Sequence, residues 1–93
     1  ILPHALAYNA PAAPEAMRRI AQAIGANDAA QGLHALAARL QAPLSLRELG
    51  MPYEELDRCT DIALRNAYAN PRPLERVALR ALLENAWQGR APG

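Results

Sequence analysis

The chain has 93 residues, room for one small domain, and 48 of them are apolar; 22 of those are Ala, so only 26 side chains are large enough to fill a core. Leu supplies 14 of the 26, Val occurs once and Phe never, a balance that favours helix and excludes an all-β or α/β fold. Ten Arg, no Lys and nine acidic residues leave a net charge of +1, without the basic excess of a polyanion binder, and a single Cys excludes an intrachain disulfide.

Residues 1–9 are apolar apart from His4 and Asn9, and Asn9-Ala-Pro11-Ala-Ala-Pro14 ends any helix there, because Pro lacks a backbone donor and disfavours helix in the residue before it. The segment therefore reads as the tail of a helix, and a chain opening on Ile1-Leu2-Pro3 without Met reads as part of something longer. Pro14 suits the first turn of the next helix, in which Met17, Ile20, Ala21 and Ile24 share a face and Gly25 suits the C-terminal cap. Asn27 or Asp28 caps a third helix carrying Leu33, Leu36, Ala37 and Leu40 until Pro43. Gly32 weakens that helix modestly. Ser45-Leu-Arg-Glu48 has capping-box spacing with Gly50 close behind, which predicts a single helical turn.

Pro52 opens a longer helix through about Ala67, with Leu56, Cys59, Ile62 or Ala63, and Asn66 along one face and Glu54–Arg58 and Asp61–Arg65 as i,i+4 pairs on another. Asn70-Pro71-Arg72-Pro73 is the sharpest break. Pro73 then suits the first turn of a last helix with Leu74, Val77, Ala78, Ala81, Leu82, Ala86 and Trp87 on its apolar face, closed by Gly89; Arg90-Ala-Pro-Gly93 should fray. The expected fold is all-α, a small bundle of about four helices plus a short turn, occupying residues 1–93 as a single domain.

The chemistry of the side chains is sparse. His4 and His34 are too far apart in sequence for a helical i,i+4 metal pair and lack acidic neighbours at ligand spacing, so no metal site is expected in this segment. His34 reads as a boundary residue, whereas His4, next to a break, has equal claims to structure and function. Cys59 lies on an apolar stripe and reads as a small core residue rather than a nucleophile. Glu54, Glu55, Asp57 and Asp61 occupy the first half of a helix, where the helix dipole favours negative charge without any catalytic role. Arg72, Arg76 and Arg80 recur every four residues; the last two read as a mixed, solvated face, while Arg72 sits near a helix start where backbone donors also favour anions. There is no glycine-rich phosphate loop, nucleophile elbow or carboxylate pair, so the residues alone describe a helical domain without a self-contained active site.

Three stretches together carry a resemblance: Leu2-Pro-His-Ala-Leu-Ala-Tyr-Asn9, Ser45-Leu-Arg-Glu-Leu-Gly-Met-Pro52, and Asn70-Pro-Arg-Pro73 leading to Ala81-Leu-Leu-Glu-Asn-Ala-Trp87. They resemble the C-terminal region of maleylacetate reductases, a branch of the iron-containing alcohol dehydrogenase superfamily. The resemblance implies a two-domain parent of the dehydroquinate synthase-like fold, in which an N-terminal domain holds NADH or NADPH and a helical C-terminal domain closes over the substrate. It implies reduction of maleylacetate to 3-oxoadipate in the bacterial breakdown of aromatic compounds, a cytoplasmic homodimer, and a divalent metal, Fe or Zn, whose ligands all precede Ile1. The segment itself is then expected to be inactive, without cofactor, metal or catalytic residues, with the absent N-terminal part as its partner and with neither nucleic acid nor membrane. Asn66, Tyr68 and Asn70 match the family's segment between the last two helices, where the family also permits a purely structural role for Asn70-Pro71; with Arg72, whose place at a helix start suits an anion and a solvated surface equally, they are the expected substrate-facing residues. Two readings of another class stand beside it: a helix-turn-helix DNA-binding module over Asp28–Gly50, which the +1 charge does not favour, and a bare protein-interaction domain.

Overall fold

The computed structural model describes residues 1–65 and 70–92 and is all-helical among them. Helix α1 runs Leu2–Asn9 and passes into a 3-10 turn at Ala10–Ala12; α2 spans Pro14–Ile24, α3 Ala29–Arg39, α4 Leu56–Arg65 after a 3-10 turn at Tyr53–Glu55, and α5 Arg76–Gln88. Contacts run α2 on α3, α3 on α1, α1 on α5 and α5 on α4, so short α1 lies between two helix pairs. The slab is only 17 Å thick in its Cα frame against 37 and 30 Å in the other directions. Two thin layers of helix cannot enclose much, and the core reflects it. Leu56, Thr60 and Pro92 are the largest fully buried side chains, and most other buried apolar positions are alanines: Ala21, Ala29, Ala30 and Ala86 beside Tyr8 and Leu79.

The helix signals hold at α2 and α3. Pro14 occupies the first turn of α2, and Gly25 ends it in the left-handed conformation (φ 69°), with the amide of Ala26 donating to the Ala21 carbonyl at 2.8 Å. The Asp28 side chain caps α3 by accepting from the Gln31 amide at 2.8 Å. At the end of α3 the left-handed position is filled by Gln41 (φ 58°), a residue that pays a steric cost there. Gly32 serves close approach: a Cβ there would stand 2.6 Å from the Ala26 Cβ.

Four expectations are corrected. The Ser45 hydroxyl does accept from the Glu48 amide at 3.1 Å, but residues 46–50 form hydrogen-bonded turns rather than a helix, so Asp28–Gly50 is no helix-turn-helix. This turn docks on α5, where the amides of Leu46 and Arg47 donate to the Ala86 and Trp87 carbonyls at 3.0 and 3.3 Å and satisfy acceptors of its last turn. Helix α5 begins at Arg76, not Pro73, because the Tyr8 hydroxyl holds residues 73–75 extended, and Glu75 (φ −114°, ψ 136°) becomes the N-cap position. With that start Val77 points outward, 83% exposed, and Leu79 and Leu83 turn inward in its place beside the expected Leu82. The tail does not fray. Pro92 is buried, its carbonyl accepts from the Gln31 side chain, and the Arg90 carbonyl accepts from His4, so residues 90–92 strap α5 to α1 and α3.

The charged pairs also differ in detail. Arg58 pairs with Glu55 at 3.3 Å, and Asp61 reaches across to Arg76 on α5 instead of along its own helix to Arg65. Asp57 with Arg80, at 2.8 Å, completes a ladder between antiparallel α4 and α5. Arg80 also donates to Tyr53 and lies 3.5 Å from Glu84; its hydrogen bonds to Tyr53 first and to Asp57 next raise its guanidinium above the usual range. Tyr53 packs edge-on against Trp87, whose indole donates to the Met51 carbonyl at 2.6 Å. Arg76 and Arg80 are thus the mixed surface the sequence suggests.

Candidate functional site

The break after α4 is held against α1 by a compact polar set. Tyr8, on the buried side of α1, donates its hydroxyl proton to the Pro73 carbonyl at 2.6 Å and accepts from the Glu75 amide at 3.1 Å. Asn9 and Asn70 exchange amide hydrogen bonds at 3.2 and 2.8 Å, and Asn70 also donates to the Arg72 carbonyl. Arg72 lies over the Tyr8 ring, 4.1 Å from its centroid, and donates through Nη1 to the Tyr8 carbonyl at 3.1 Å. The Asn9-Ala-Pro and Asn70-Pro-Arg-Pro breaks, 61 residues apart in the chain, therefore form one joint.

On one side of that joint opens a cleft of about 290 Å³ lined by His4, Ala7, Tyr8, Arg72, Ala78, Ala81, Leu82 and Asn85. On the other lies a mainly apolar groove of about 300 Å³ between α1, α4 and α5, bounded by Ile1, Ile62, Asn70, Leu74 and Leu83 among others. His4 is 95% buried, with 5% of its surface exposed. Its Nε2–H donates to the Arg90 carbonyl at 2.8 Å, while Nδ1 is buried with no hydrogen-bond partner. Burial pushes its pKa below the ordinary 6.5, so at neutral pH the ring is an uncharged donor at Nε2. His34 meets it edge-on with ring centroids 6.2 Å apart. Sequence distance gave no hint of this pairing; only the packing of α3 on α1 creates it.

Of the four expected substrate-facing residues, Asn70 and Arg72 come together at the joint, and Asn66 and Tyr68 lie outside the described residues. Asn70 spends both ends of its amide on Asn9 and Arg72. Arg72 lines the cleft with part of its fork unspent. Sequence reasoning missed Tyr8, Asn9, His4 and Asn85 as its neighbours; the first three stand in the Leu-Pro-His motif, which is the signal that marks them.

Among the described residues no three His, Cys, Asp or Glu side chains cluster as metal ligands. His4, the nearest candidate, has Nε2 committed to a carbonyl and only another imidazole beside it. The described residues do not fit a resident metal, and no glycine-rich turn stands among them to cradle a pyrophosphate.

The family profile described as Fe-containing alcohol dehydrogenase family, C-terminal, matches residues 1–87. The chain belongs to that family. It is 54% identical over 92 residues to a maleylacetate reductase of Burkholderia cepacia and 51% identical to maleylacetate reductase 1 of Cupriavidus pinatubonensis, in each case across 99% of this chain and 26% of the relative. The crystal structure of maleylacetate reductase from Agrobacterium tumefaciens superposes with a TM-score of 0.92 at 42% identity, covering 99% of this chain and 26% of that one. This family segment thus spans about a quarter of the length of the curated relatives it matches. Across that quarter it is similar to the C-terminal part of maleylacetate reductases. No described helix is long and apolar enough to cross a membrane.

Proposed function

We propose that residues 1–93 form the helical C-terminal domain of a two-domain NAD(P)H-dependent oxidoreductase that reduces maleylacetate to 3-oxoadipate, and that they have no activity on their own. The observation that supports this is the 54% identity to a maleylacetate reductase over 99% of the chain. The nicotinamide supplies the hydride, and its binding, like that of any divalent metal, falls to the rest of the polypeptide. This domain contributes a substrate-facing wall through Asn66, Tyr68, Asn70 and Arg72. Arg72 has the strongest geometric support, since it borders an open cleft and its planar fork suits a carboxylate. Asn70 acts through the joint: by tying Asn9 to the Arg72 carbonyl it sets where that fork starts. The assembled enzyme works in the cytoplasm as a homodimer.

The test is to express the whole reading frame that encodes this segment and follow nicotinamide oxidation with maleylacetate, with the 93-residue chain in parallel. Turnover by the long form alone is expected. No turnover by the long form with either nicotinamide, or turnover by the short chain, overturns the reading.

A further inference from the structure

Eight of the ten arginines are exposed; Arg72 and Arg80 are half-buried. Arg80 is oriented by charge, with Asp57 at 2.8 Å and Glu84 at 3.5 Å. Arg72 has no carboxylate partner among the described residues, and Tyr8 takes that place. The guanidinium carbon of Arg72 stands 4.1 Å from the Tyr8 ring centroid, against 5.3 Å for Arg47 over Trp87 and 5.5 Å for Arg80 over Tyr53. Carbon atoms touch at ~3.5–4.0 Å, so Arg72 rests on its ring while the other two contacts are looser. Its Nη1 also donates to the Tyr8 carbonyl at 3.1 Å, in the last turn of α1, where the helix dipole favours a cation. The ring sets the plane of the fork and the carbonyl sets its rotation within that plane.

Tyr8 is itself held fast. It is 7% exposed, and its hydroxyl is engaged twice, by the Pro73 carbonyl at 2.6 Å and the Glu75 amide at 3.1 Å. Both bonds go to the chain just beyond Arg72, so the residue that supports the guanidinium also fixes the backbone from which it projects. We infer that Tyr8 is the positioning residue for Arg72, its ring face and carbonyl orienting the guanidinium before substrate arrives. An arginine side chain has many freely turning bonds, and a substrate that must still them binds more weakly than one that meets a fork already set. The two ends of the tyrosine therefore do different work: the hydroxyl shapes the chain, and the π-face acts on the guanidinium. The inference rests on the reading of Arg72 as a substrate-facing residue of a maleylacetate reductase.

The experiment replaces Tyr8 in the full-length enzyme by phenylalanine and by ring-fluorinated phenylalanines bearing one, two and three fluorines. All of these lack the hydroxyl and have nearly one shape, so they share its structural cost, while each fluorine draws negative charge from the ring face. KM for maleylacetate should rise stepwise along the series, about three- to tenfold from the plain to the trifluorinated ring, with KM for the nicotinamide and the melting temperature level across it. In an Arg72→Gln background kcat/KM should not depend on fluorine, since no cation is left over the ring. A flat KM along the series, or a fluorine dependence that persists with Arg72→Gln, overturns the inference. Should Tyr8→Phe not fold, mono- and difluorotyrosine at mildly acid pH, which keep the protonated hydroxyl, carry the same comparison. Absence of maleylacetate turnover by the unsubstituted enzyme defeats the reductase reading and this inference with it; turnover with a flat series defeats this inference alone.

Discussion

Helix propensity and packing make opposite predictions at Gly32, and the packing should win. Gly32 lies inside α3, where replacing Gly by Ala ordinarily gains about 1 kcal/mol. A Cβ at this position would sit 2.6 Å from the Ala26 Cβ and 2.8 Å from Ile24 Cδ1. The isoleucine methyl can rotate away. The Ala26 Cβ cannot, since it moves only with its backbone, and relief to a normal carbon contact of ~3.5 Å requires a shift of about 1 Å. That backbone is anchored by the Ala26 amide bond to the Ala21 carbonyl, which closes α2. Overpacking of this kind costs ~1–3 kcal/mol, so Gly32→Ala should lose about 1 kcal/mol net after the propensity gain. The matched control is exposed Ala35→Gly on the same helix, which should lose about 1 kcal/mol by propensity alone. Urea unfolding followed by far-ultraviolet circular dichroism, at equal protein concentrations, measures both. A Gly32→Ala chain as stable as the parent, or more so, would refute the claim that this glycine sets the α2–α3 distance.

Other outcomes follow from single contacts. Gln41→Gly should raise stability by ~0.5–1 kcal/mol, because the left-handed conformation after α3 costs an L-residue what glycine does not pay; a lower denaturation midpoint would contradict this. Tyr8→Phe should cost ~1–3 kcal/mol by leaving the Pro73 carbonyl and the Glu75 amide without their shared partner, read in the same unfolding assay. Burial lowers the pKa of folded His4 below the 6.5 of the unfolded chain, so the unfolded state takes up a proton that the folded state refuses. This contribution to stability is fully present above 6.5 and is lost as pH falls through that value toward the folded pKa. His4→Gln, which keeps a donor for the Arg90 carbonyl, should flatten the melting temperature profile as pH falls below 6.5. Removing residues 90–93 should cost ~1–3 kcal/mol by stripping His4 and Gln31 of their acceptors, where a frayed tail would cost nothing.

The sequence by itself determined the helices, because helix identity is local. Ala and Leu content, the i,i+3,i+4 stripe of α2, the Asp28 cap, the Gly25 and Gly89 stops and the two Pro-rich breaks act within one or two turns of chain. The motif residues Leu2–Asn9 and Asn70–Pro73 marked the two segments that meet at the joint, with Asn70 and Arg72 legible as one stretch of chain. What joined them was not. The distance from Asn9 to Asn70, the meeting of His4 with His34, and the strap of residues 90–92 over α1 and α3 are set by which helix packs on which, and contacts across 30 to 86 residues leave no local pattern. Tertiary structure also overrode two local signals. Pro73 is a fitting first residue for α5, but the Tyr8 hydroxyl binds the extended backbone beyond it and delays the helix to Arg76. Val77 belongs to an apolar repeat counted from Pro73, and with the later start it faces outward. The cleft beside Arg72 is likewise a product of the fold: its arginine comes from a loop, its tyrosine from the first helix and its asparagine from the last, and only the packing of α5 on α1 brings the three to one surface.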